Sequence, residues 1–231
     1  MIKIILSEVK NNPIKTISAF FSIVIVITTF FQAYGNIHQI ELEKGNISDV
    51  GTESIRLDPT LAKTWNAIGD NLYYQGKYEK AISAYSEAIR IDPKFAVAWY
   101  GKGYTLYQQG RYEDAINYLD KALILDPGLA VAWYTKGYAL YYLDNYDEAI
   151  KNFDKALMLD PKLALAWYGK GCVRYAKSQY DNAIKDYEEA IEIDPNLTSA
   201  WHGKGLALKA LGKTSEAKAA FSKAIINPSS Y

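Results

Sequence analysis

The sequence predicts an all-α protein in which an array of stacked helix pairs follows one membrane-spanning helix. Three observations lead to this fold class. Tryptophan recurs at intervals of 34 residues along most of the chain. Large and small residues between the tryptophans follow helical spacing. One early segment is long, apolar and free of charged residues, as a membrane span requires.

The uncharged segment lies near the start of the chain, where residues 16–40 contain no Asp, Glu, Lys or Arg. A helix over 16–34 spans about 28 Å, which matches a bilayer hydrocarbon core of about 30 Å. We therefore predict a transmembrane helix at 16–34, preceded by a short basic segment at 1–15. A secretory signal cleaved after Gly35 is the alternative, because small residues precede that bond.

Charged residues on either side of the segment predict its orientation. Lys3, Lys10 and Lys15 precede it, whereas only Lys44 follows closely. The positive-inside rule then places the N-terminus in the cytoplasm and the remainder of the chain on the other side of the membrane. If the segment is instead a cleaved signal, the rest of the chain is secreted.

Five consecutive units share one residue pattern. Each unit has a Trp followed four residues later by a Gly, then two spaced Ala, and the first four units end in Asp-Pro. A fixed period of this length indicates a stacked-repeat architecture. The predicted units occupy 62–95, 96–129, 130–163, 164–197 and 198–231, after a linker and degenerate half-repeat at 35–61.

Two amphipathic helices are predicted within each unit. In the third unit, Trp133 and Leu140 share a stripe of the first helix, and Phe153 and Ala156 share a stripe of the second. Turn-forming residues at 144–145 separate the two blocks. The closing Asp-Pro ends the second helix, because proline disfavours the α conformation in the residue before it.

This pattern resembles the tetratricopeptide repeat, a helix–turn–helix with the motif W-x₃-G, two spaced Ala, an aromatic residue and a final Pro. The resemblance covers residues 62–231. It departs at Leu119, which replaces the aromatic residue, at Arg174, which replaces a large apolar residue, and at Pro228, which comes one position early. The family resemblance implies a right-handed superhelical solenoid whose first helices line a concave groove that binds proteins.

Helical spacing selects the residues that would line the groove, and most of them are tyrosines. Tyrosine offers a large rigid contact area and a hydroxyl group. We interpret the groove as a binding surface for an extended or helical segment of a protein partner. Ordinary packing of the repeat by tyrosine is the alternative. The candidate groove residues are Tyr73, Tyr100, Tyr104, Tyr107, Tyr134, Tyr138, Tyr141, Tyr168, Tyr175 and His202.

Other function classes find little support in the composition. Lys and Arg total 26, as do Asp and Glu, and this zero net charge argues against a nucleic-acid-binding array. His38, His202 and Cys172 have no partners at metal-ligand or catalytic spacing. We predict no enzyme activity, no metal and no cofactor. Cys172 is expected to pack as a small apolar residue.

Two further expectations concern the surface of the array. One lysine precedes the repeat glycine in four units, and we expect these lysines to form a solvated row balanced by acidic residues of the second helices. They are Lys102, Lys136, Lys170 and Lys204. No polar capping helix follows the fifth unit, so its exposed end is an alternative contact for self-association.

Overall fold

The computed structural model describes residues 59–226, and the side chains of residues 60–224, as ten α-helices. No strand occurs in this range, so the prediction of an all-α fold is confirmed. The helices are α1 (Pro59–Tyr74), α2 (Tyr78–Ile91), α3 (Ala96–Gln108), α4 (Tyr112–Leu125), α5 (Ala130–Tyr142), α6 (Tyr146–Leu159), α7 (Ala164–Ala176), α8 (Tyr180–Ile193), α9 (Thr198–Ala210) and α10 (Thr214–Ile226).

The helices pack as successive antiparallel-type pairs along a solenoid. Each helix contacts the next one in the chain, and the first helices of neighbouring units also contact each other. The predicted transmembrane helix at 16–34 and the predicted linker before residue 59 lie outside the described residues. Between residues 59 and 226, every helix is too short or too polar to cross a bilayer.

The turn between units is held by its own side chains. The Asp160 carboxylate accepts a hydrogen bond from the backbone N–H of Lys162 (3.0 Å), which closes a tight turn around Pro161. The indole N–H of Trp167 then donates to the carbonyl oxygen of Pro161 (3.2 Å). Trp99, Trp133 and Trp201 make the same bond to the proline six residues earlier. The repeat Trp therefore joins the first helices α3, α5, α7 and α9 to the turns that precede them.

The turn within a unit uses one residue in the left-handed conformation. Gly76, Gly110 and Gly212 occupy this position with φ of 71°, 75° and 76°. Asp144 and Ser178 occupy it in the third and fourth units with φ of 56° and 59°. Glycine favours this conformation because it has no Cβ to clash with the backbone. Asp144 and Ser178 have a Cβ, so the surrounding turn must hold them in it.

In the first, third and fourth units, an aromatic ring from the second helix fills the space between two first helices. Phe153 is fully buried, and its ring lies against Gly137 of its own unit and Gly169 of the next. A Cβ on Gly169 would come within 2.5 Å of that ring, far inside normal contact distance. Tyr85 and Tyr187 are enclosed by glycine pairs in the same way. The repeat glycine is thus explained by the ring packed on it.

The second unit solves this junction differently. Leu119 stands where the other units have an aromatic ring, and it is fully buried beside Gly103. In the next unit Thr135 stands one period from Gly101 and Gly169, and it is 1% exposed. The smaller residue at 119 therefore coincides with a larger residue at 135, one period from the Phe153 and Gly169 pair.

Arg174, the second departure from the repeat pattern, has an ionic partner. Its guanidinium lies 2.8 Å from the carboxylate of Asp186, which is 2% exposed. Burial raises the pKa of Asp186 to about 6, while Arg174 and Lys170 act in the opposite direction. Leu208 and Ala220 occupy the equivalent positions one repeat later, and both are buried. A polar pair in the fourth unit therefore stands where the last unit has two apolar residues.

Candidate functional site

Each candidate groove residue lies on the first helix of a unit. Tyr73 is on α1, and α3 and α5 carry three of the candidate tyrosines each. Tyr168 and Tyr175 lie on α7, and His202 lies on α9. All of the tyrosines among them are half-buried, so each ring presents one part to solvent and packs the rest on its neighbours.

Five of the candidate residues belong to one connected group of rings. The Tyr73 ring of α1 and the Tyr104 ring of α3 are 5.4 Å apart between centroids, which joins the first unit to the second. Tyr104 also stacks between Tyr100 at 5.8 Å and Tyr107 at 6.2 Å on its own helix. Aromatic pairs at these separations attract each other beyond their simple burial.

The group extends into the third unit through residues that the sequence analysis missed. Tyr107 is 6.1 Å from Tyr142, and Tyr142 stacks on Tyr112 at 4.8 Å with only 8° between the ring planes. Further ring contacts add the remaining members. We call the ten rings the tyrosine cluster: Tyr73, Tyr74, Tyr78, Tyr100, Tyr104, Tyr107, Tyr112, Tyr141, Tyr142 and Tyr146.

The missed residues lie at the edge of the solenoid where first helices end and second helices begin. Tyr74 is 84% exposed and Tyr142 is 52% exposed, more than any of the candidate tyrosines. A sequence signal for them existed, because each directly follows a candidate tyrosine at the end of a first helix. Tyr78, Tyr112 and Tyr146 open second helices one period apart.

The remaining candidates make separate contacts. Tyr138 packs edge-on against the Phe153 ring (5.1 Å), and its hydroxyl donates to the carbonyl oxygen of Leu165 (2.9 Å). It therefore ties α5 to the first turn of α7. Tyr134 lies 5.6 Å from Tyr138, and Tyr175 lies 5.4 Å from Tyr180. Two more ring contacts involve Tyr168 with Tyr187 and His202 with Phe221.

Burial keeps the hydroxyls of several candidate tyrosines uncharged under ordinary conditions. Burial raises the pKa of Tyr134 to about 12. Burial is also the main cause of the raised pKa of Tyr73, Tyr100, Tyr107 and Tyr138. Removing a phenol from water disfavours its charged form. The surface they form therefore presents neutral donors and acceptors.

Polar residues of the first unit are bonded to each other. The Asp70 carboxylate accepts hydrogen bonds from the Tyr85 hydroxyl (2.7 Å) and the Asn66 amide (3.1 Å). The Asn66 amide is therefore already bonded to a carboxylate of the chain itself.

Three lysines of the row pair with acidic residues of second helices, as predicted, but they are mostly buried and not solvated as expected. Their side chains are 19%, 12% and 22% exposed at Lys136, Lys170 and Lys204. Each forms an ion pair with an acidic residue of the preceding unit, 16 residues earlier: Asp120, Asp154 and Glu188 at 2.6, 2.6 and 2.7 Å. Lys102 bonds to the Ser86 hydroxyl instead, at 2.9 Å. The row therefore links units together.

Cys172 packs as expected for a small apolar residue. It contacts the core group of the last two units beside Tyr168 and Tyr175. Burial raises the pKa of its thiol, which keeps it protonated. Within residues 59–226, no group of three or more His, Cys, Asp or Glu side chains could hold a metal ion.

Comparisons with known proteins agree with this architecture. Tetratricopeptide repeat models match residues 66–130, 130–163, 164–197 and 198–225. The chain is 33% identical to MamA in a crystal structure, over 69% of this chain and 94% of that one, with a TM-score of 0.62. No curated protein sequence matches it.

Two more distant structures share the fold. MamA from Desulfovibrio magneticus RS-1 is 24% identical, over 71% of this chain and 93% of that one, with a TM-score of 0.64. YrrB, described as a tetratricopeptide repeat protein with an unusual peptide-binding site, is 21% identical over 79% of this chain and 94% of that one, with a TM-score of 0.59.

Proposed function

Because the chain belongs to the tetratricopeptide repeat family, we propose that it is a non-catalytic scaffold that binds a segment of a protein partner along the tyrosine-bearing face of its first helices. One observation carries this proposal. Half-buried tyrosines follow one another on the first helices of four successive units, and they form a connected aromatic surface over three of them.

The chemistry of this surface suits protein recognition. Tyrosine and tryptophan dominate binding energies at protein interfaces because they bring large apolar area at a low cost in side-chain entropy. The rings here already lie against one another, so little ordering is needed on binding. YrrB shows that this fold can carry a peptide-binding site, although at 21% identity the likeness concerns the fold alone.

Site-specific crosslinking tests the proposal. A photo-crosslinking amino acid at position 104 or 138 should capture a partner protein in cells that express the full chain. The same probe at Asn117, an exposed residue of the second helix α4, serves as the matched control and should capture it poorly. Equal capture at all three positions, or at Asn117 alone, would contradict a role for the tyrosine face.

We further propose that residues 16–34 anchor the scaffold in a membrane, with the N-terminus in the cytoplasm and the repeats on the other side. The lysines that precede this segment support that orientation. Anchoring would raise the local concentration of a bound partner at the membrane. Protease added to intact cells should remove the repeats, and N-terminal sequencing should find residue 1 and not residue 36.

Self-association through the last repeat is the alternative function. The Phe221 ring contacts Gly205 of its own unit and is half-exposed, whereas Tyr85, Phe153 and Tyr187 are at most 2% exposed. An Ala219→Glu variant would place a charge on the exposed side of α10. If the last repeat mediates assembly, sedimentation should show concentration-dependent oligomers for the natural chain and monomers for the variant.

A further inference from the structure

One acidic residue beside the tyrosine cluster lacks the partner that its equivalents in other units have. We propose that this residue, Glu113, together with the stacked rings of Tyr112 and Tyr142, binds an arginine side chain of the partner protein. This inference rests on the proposed function and names the chemistry of the segment that the tyrosine face would bind.

In two neighbouring pairs of units, an acidic residue near the start of a second helix has a partner in the following unit, 30 residues later. The Glu79 carboxylate accepts a hydrogen bond from the Gln109 amide (2.8 Å). The Asp147 carboxylate accepts one from the Lys177 ammonium group, and the two form an ion pair. Each of these bonds joins the turn of one unit to the turn of the next.

The second and third units lack this bond. Glu113 stands one period after Glu79, and the residue 30 positions later is Leu143, whose side chain has no donor. Glu113 is exposed, and its carboxylate has no hydrogen bond or ion pair with any residue that the structure describes. The position that Gln109 and Lys177 fill in the neighbouring units is therefore open to a donor from outside the chain.

Two aromatic rings accompany this open position. Tyr112 precedes Glu113, Tyr142 precedes Leu143, and the two rings stack at 4.8 Å with 8° between their planes. Tyr142 stays 52% exposed, so the stack leaves part of its ring open to solvent. A guanidinium group can lie flat on an aromatic ring while its N–H groups bond sideways to a carboxylate. An arginine side chain can therefore use the ring and the carboxylate together.

The charge of the two turns, at residues 107–115 and 141–149, also favours a cation. Three acidic residues of these turns have basic partners: Asp114 with Arg111, Asp147 with Lys177, and Glu148 with Lys151. Glu113 and Asp144 have no basic partner among the described residues. Asp144 accepts a hydrogen bond from the Tyr146 hydroxyl (2.6 Å), which leaves its negative charge in place. Two uncompensated negative charges therefore adjoin the exposed ring, and a positive charge on the partner would complement them.

The fourth unit provides an internal comparison. Asp181 is the equivalent of Glu113, and the residue 30 positions after it is Leu211, so it also lacks a donor from the next unit. Ala210 stands where the third unit has Tyr142, so the stacked ring is missing. Asp181 thus offers an exposed carboxylate without the ring pair, and a substitution there is the matched control for one at Glu113.

Nuclear magnetic resonance titration of the full chain in detergent micelles tests the inference with three synthetic peptides that are blocked at both ends. The peptides are identical except for one central residue, which is arginine, lysine or citrulline, the uncharged analogue of arginine. The arginine peptide should shift the backbone amide resonance of Leu143 saturably, and the citrulline peptide should not. The lysine peptide should bind more weakly, because an ammonium group has no flat face to lay on a ring.

Glu113→Gln and Tyr142→Ala should each weaken binding of the arginine peptide by about two- to fivefold, the effect of losing an exposed ion pair or an exposed cation–π contact. Asp181→Gln should leave the binding unchanged. The inference is overturned if the citrulline or lysine peptide binds as tightly as the arginine peptide. Equal binding of the arginine peptide by the natural chain and the Glu113→Gln variant would overturn it as well.

Failure of the inference can be told apart from failure of the proposed function. If no peptide shifts the Leu143 resonance while crosslinking at positions 104 and 138 captures a partner, the inference fails and the scaffold function stands. The scaffold function itself fails if crosslinking at both positions captures no partner.

Discussion

Packing at a single atom decides which residue can occupy position 169. A Cβ there would meet the Phe153 ring at 2.5 Å, and Phe153 is fully buried and unable to move away cheaply. The chain shows its own solution one unit earlier, where Leu119 and Thr135 replace the ring and the glycine. We therefore expect substitutions at positions 153 and 169 to be coupled, because the two side chains fill the same space.

We expect Gly169→Thr to lower the free energy of unfolding by about 1–3 kcal/mol, as overpacking of a core does. Adding Phe153→Leu should recover much of that loss, because the pair then copies Leu119 with Thr135. Urea unfolding of the two single variants and the double variant measures the coupling. Simple additivity of the two changes would show that the positions are independent.

The Arg174–Asp186 pair poses a different problem, since burying a charge is costly unless its partner remains. Asp186→Ala or Arg174→Leu alone should destabilise the fold by about 3–5 kcal/mol. The double variant carries Leu and Ala at these positions, as the last unit does at Leu208 and Ala220. Its free energy of unfolding should therefore equal or exceed that of the natural chain. A double variant as unstable as the worse single variant would indicate that the pair itself is needed.

The same carboxyl group predicts a pH dependence. The folded-state pKa of Asp186, about 6, lies above the ordinary value of 3.8. Between these values the folded chain holds a proton that the unfolded chain releases, so this group favours folding as the pH falls from 7 towards 4. The unfolding midpoint of the natural chain, relative to that of the Arg174→Leu, Asp186→Ala double variant, should therefore rise as the pH falls from 7 towards 4. A constant difference across this range would contradict the shift.

At the scale of elements, the end of each first helix depends on one left-handed residue. The backbone N–H groups after it bond back to the helix, as in the 2.8 Å bond from Gln179 to the carbonyl oxygen of Arg174. Three units place glycine at this position, and Ser178 carries a Cβ at φ of 59°. The turn has the same backbone geometry in all five units. Only the strain at the left-handed residue differs between glycine and the two residues with a Cβ.

Ser178→Gly should stabilise the chain by about 0.5–1 kcal/mol. Relief of left-handed strain, about 1–2 kcal/mol, is partly offset by the extra freedom of glycine in the unfolded chain. The side chain makes only a long contact with the Tyr180 hydroxyl (3.4 Å), so little else is lost. Thermal unfolding measures the change. The reverse substitution Gly212→Ser is the matched control and should destabilise by a similar amount.

At the scale of the whole molecule, the many buried tyrosines lower the stability of the fold at alkaline pH. The pKa values of Tyr100, Tyr107, Tyr134 and Tyr138 lie above the ordinary value, mainly because of burial. Above pH 10 the unfolded chain releases protons that the folded chain keeps, so stability falls as the pH rises. Tyrosinate absorbance should consequently lag in the folded chain and appear together with loss of helical circular dichroism. A gradual rise in absorbance with unchanged helicity would contradict this.

Much of the fold could be predicted because its determinants act within one unit. The Trp at 133, the turn near 144 and the Asp-Pro at 160–161 each specify a local event: a helix face, a reversal and a helix end. Because the unit repeats, the same local signals recur every 34 residues along the chain. The tyrosines of α3 and α5 could be assigned to one face by helical spacing alone. Their binding role stays a prediction.

Sequence by itself determined the helix pairs, their 34-residue period and the position of each Trp, Gly and Pro, because local spacing and turn chemistry fix these within a unit. Tertiary structure alone decided what meets across units: Lys170 with Asp154, Tyr73 with Tyr104, and Tyr107 with Tyr142. Such contacts depend on how side chains of neighbouring helices interlock in three dimensions. No one-dimensional period carries that information.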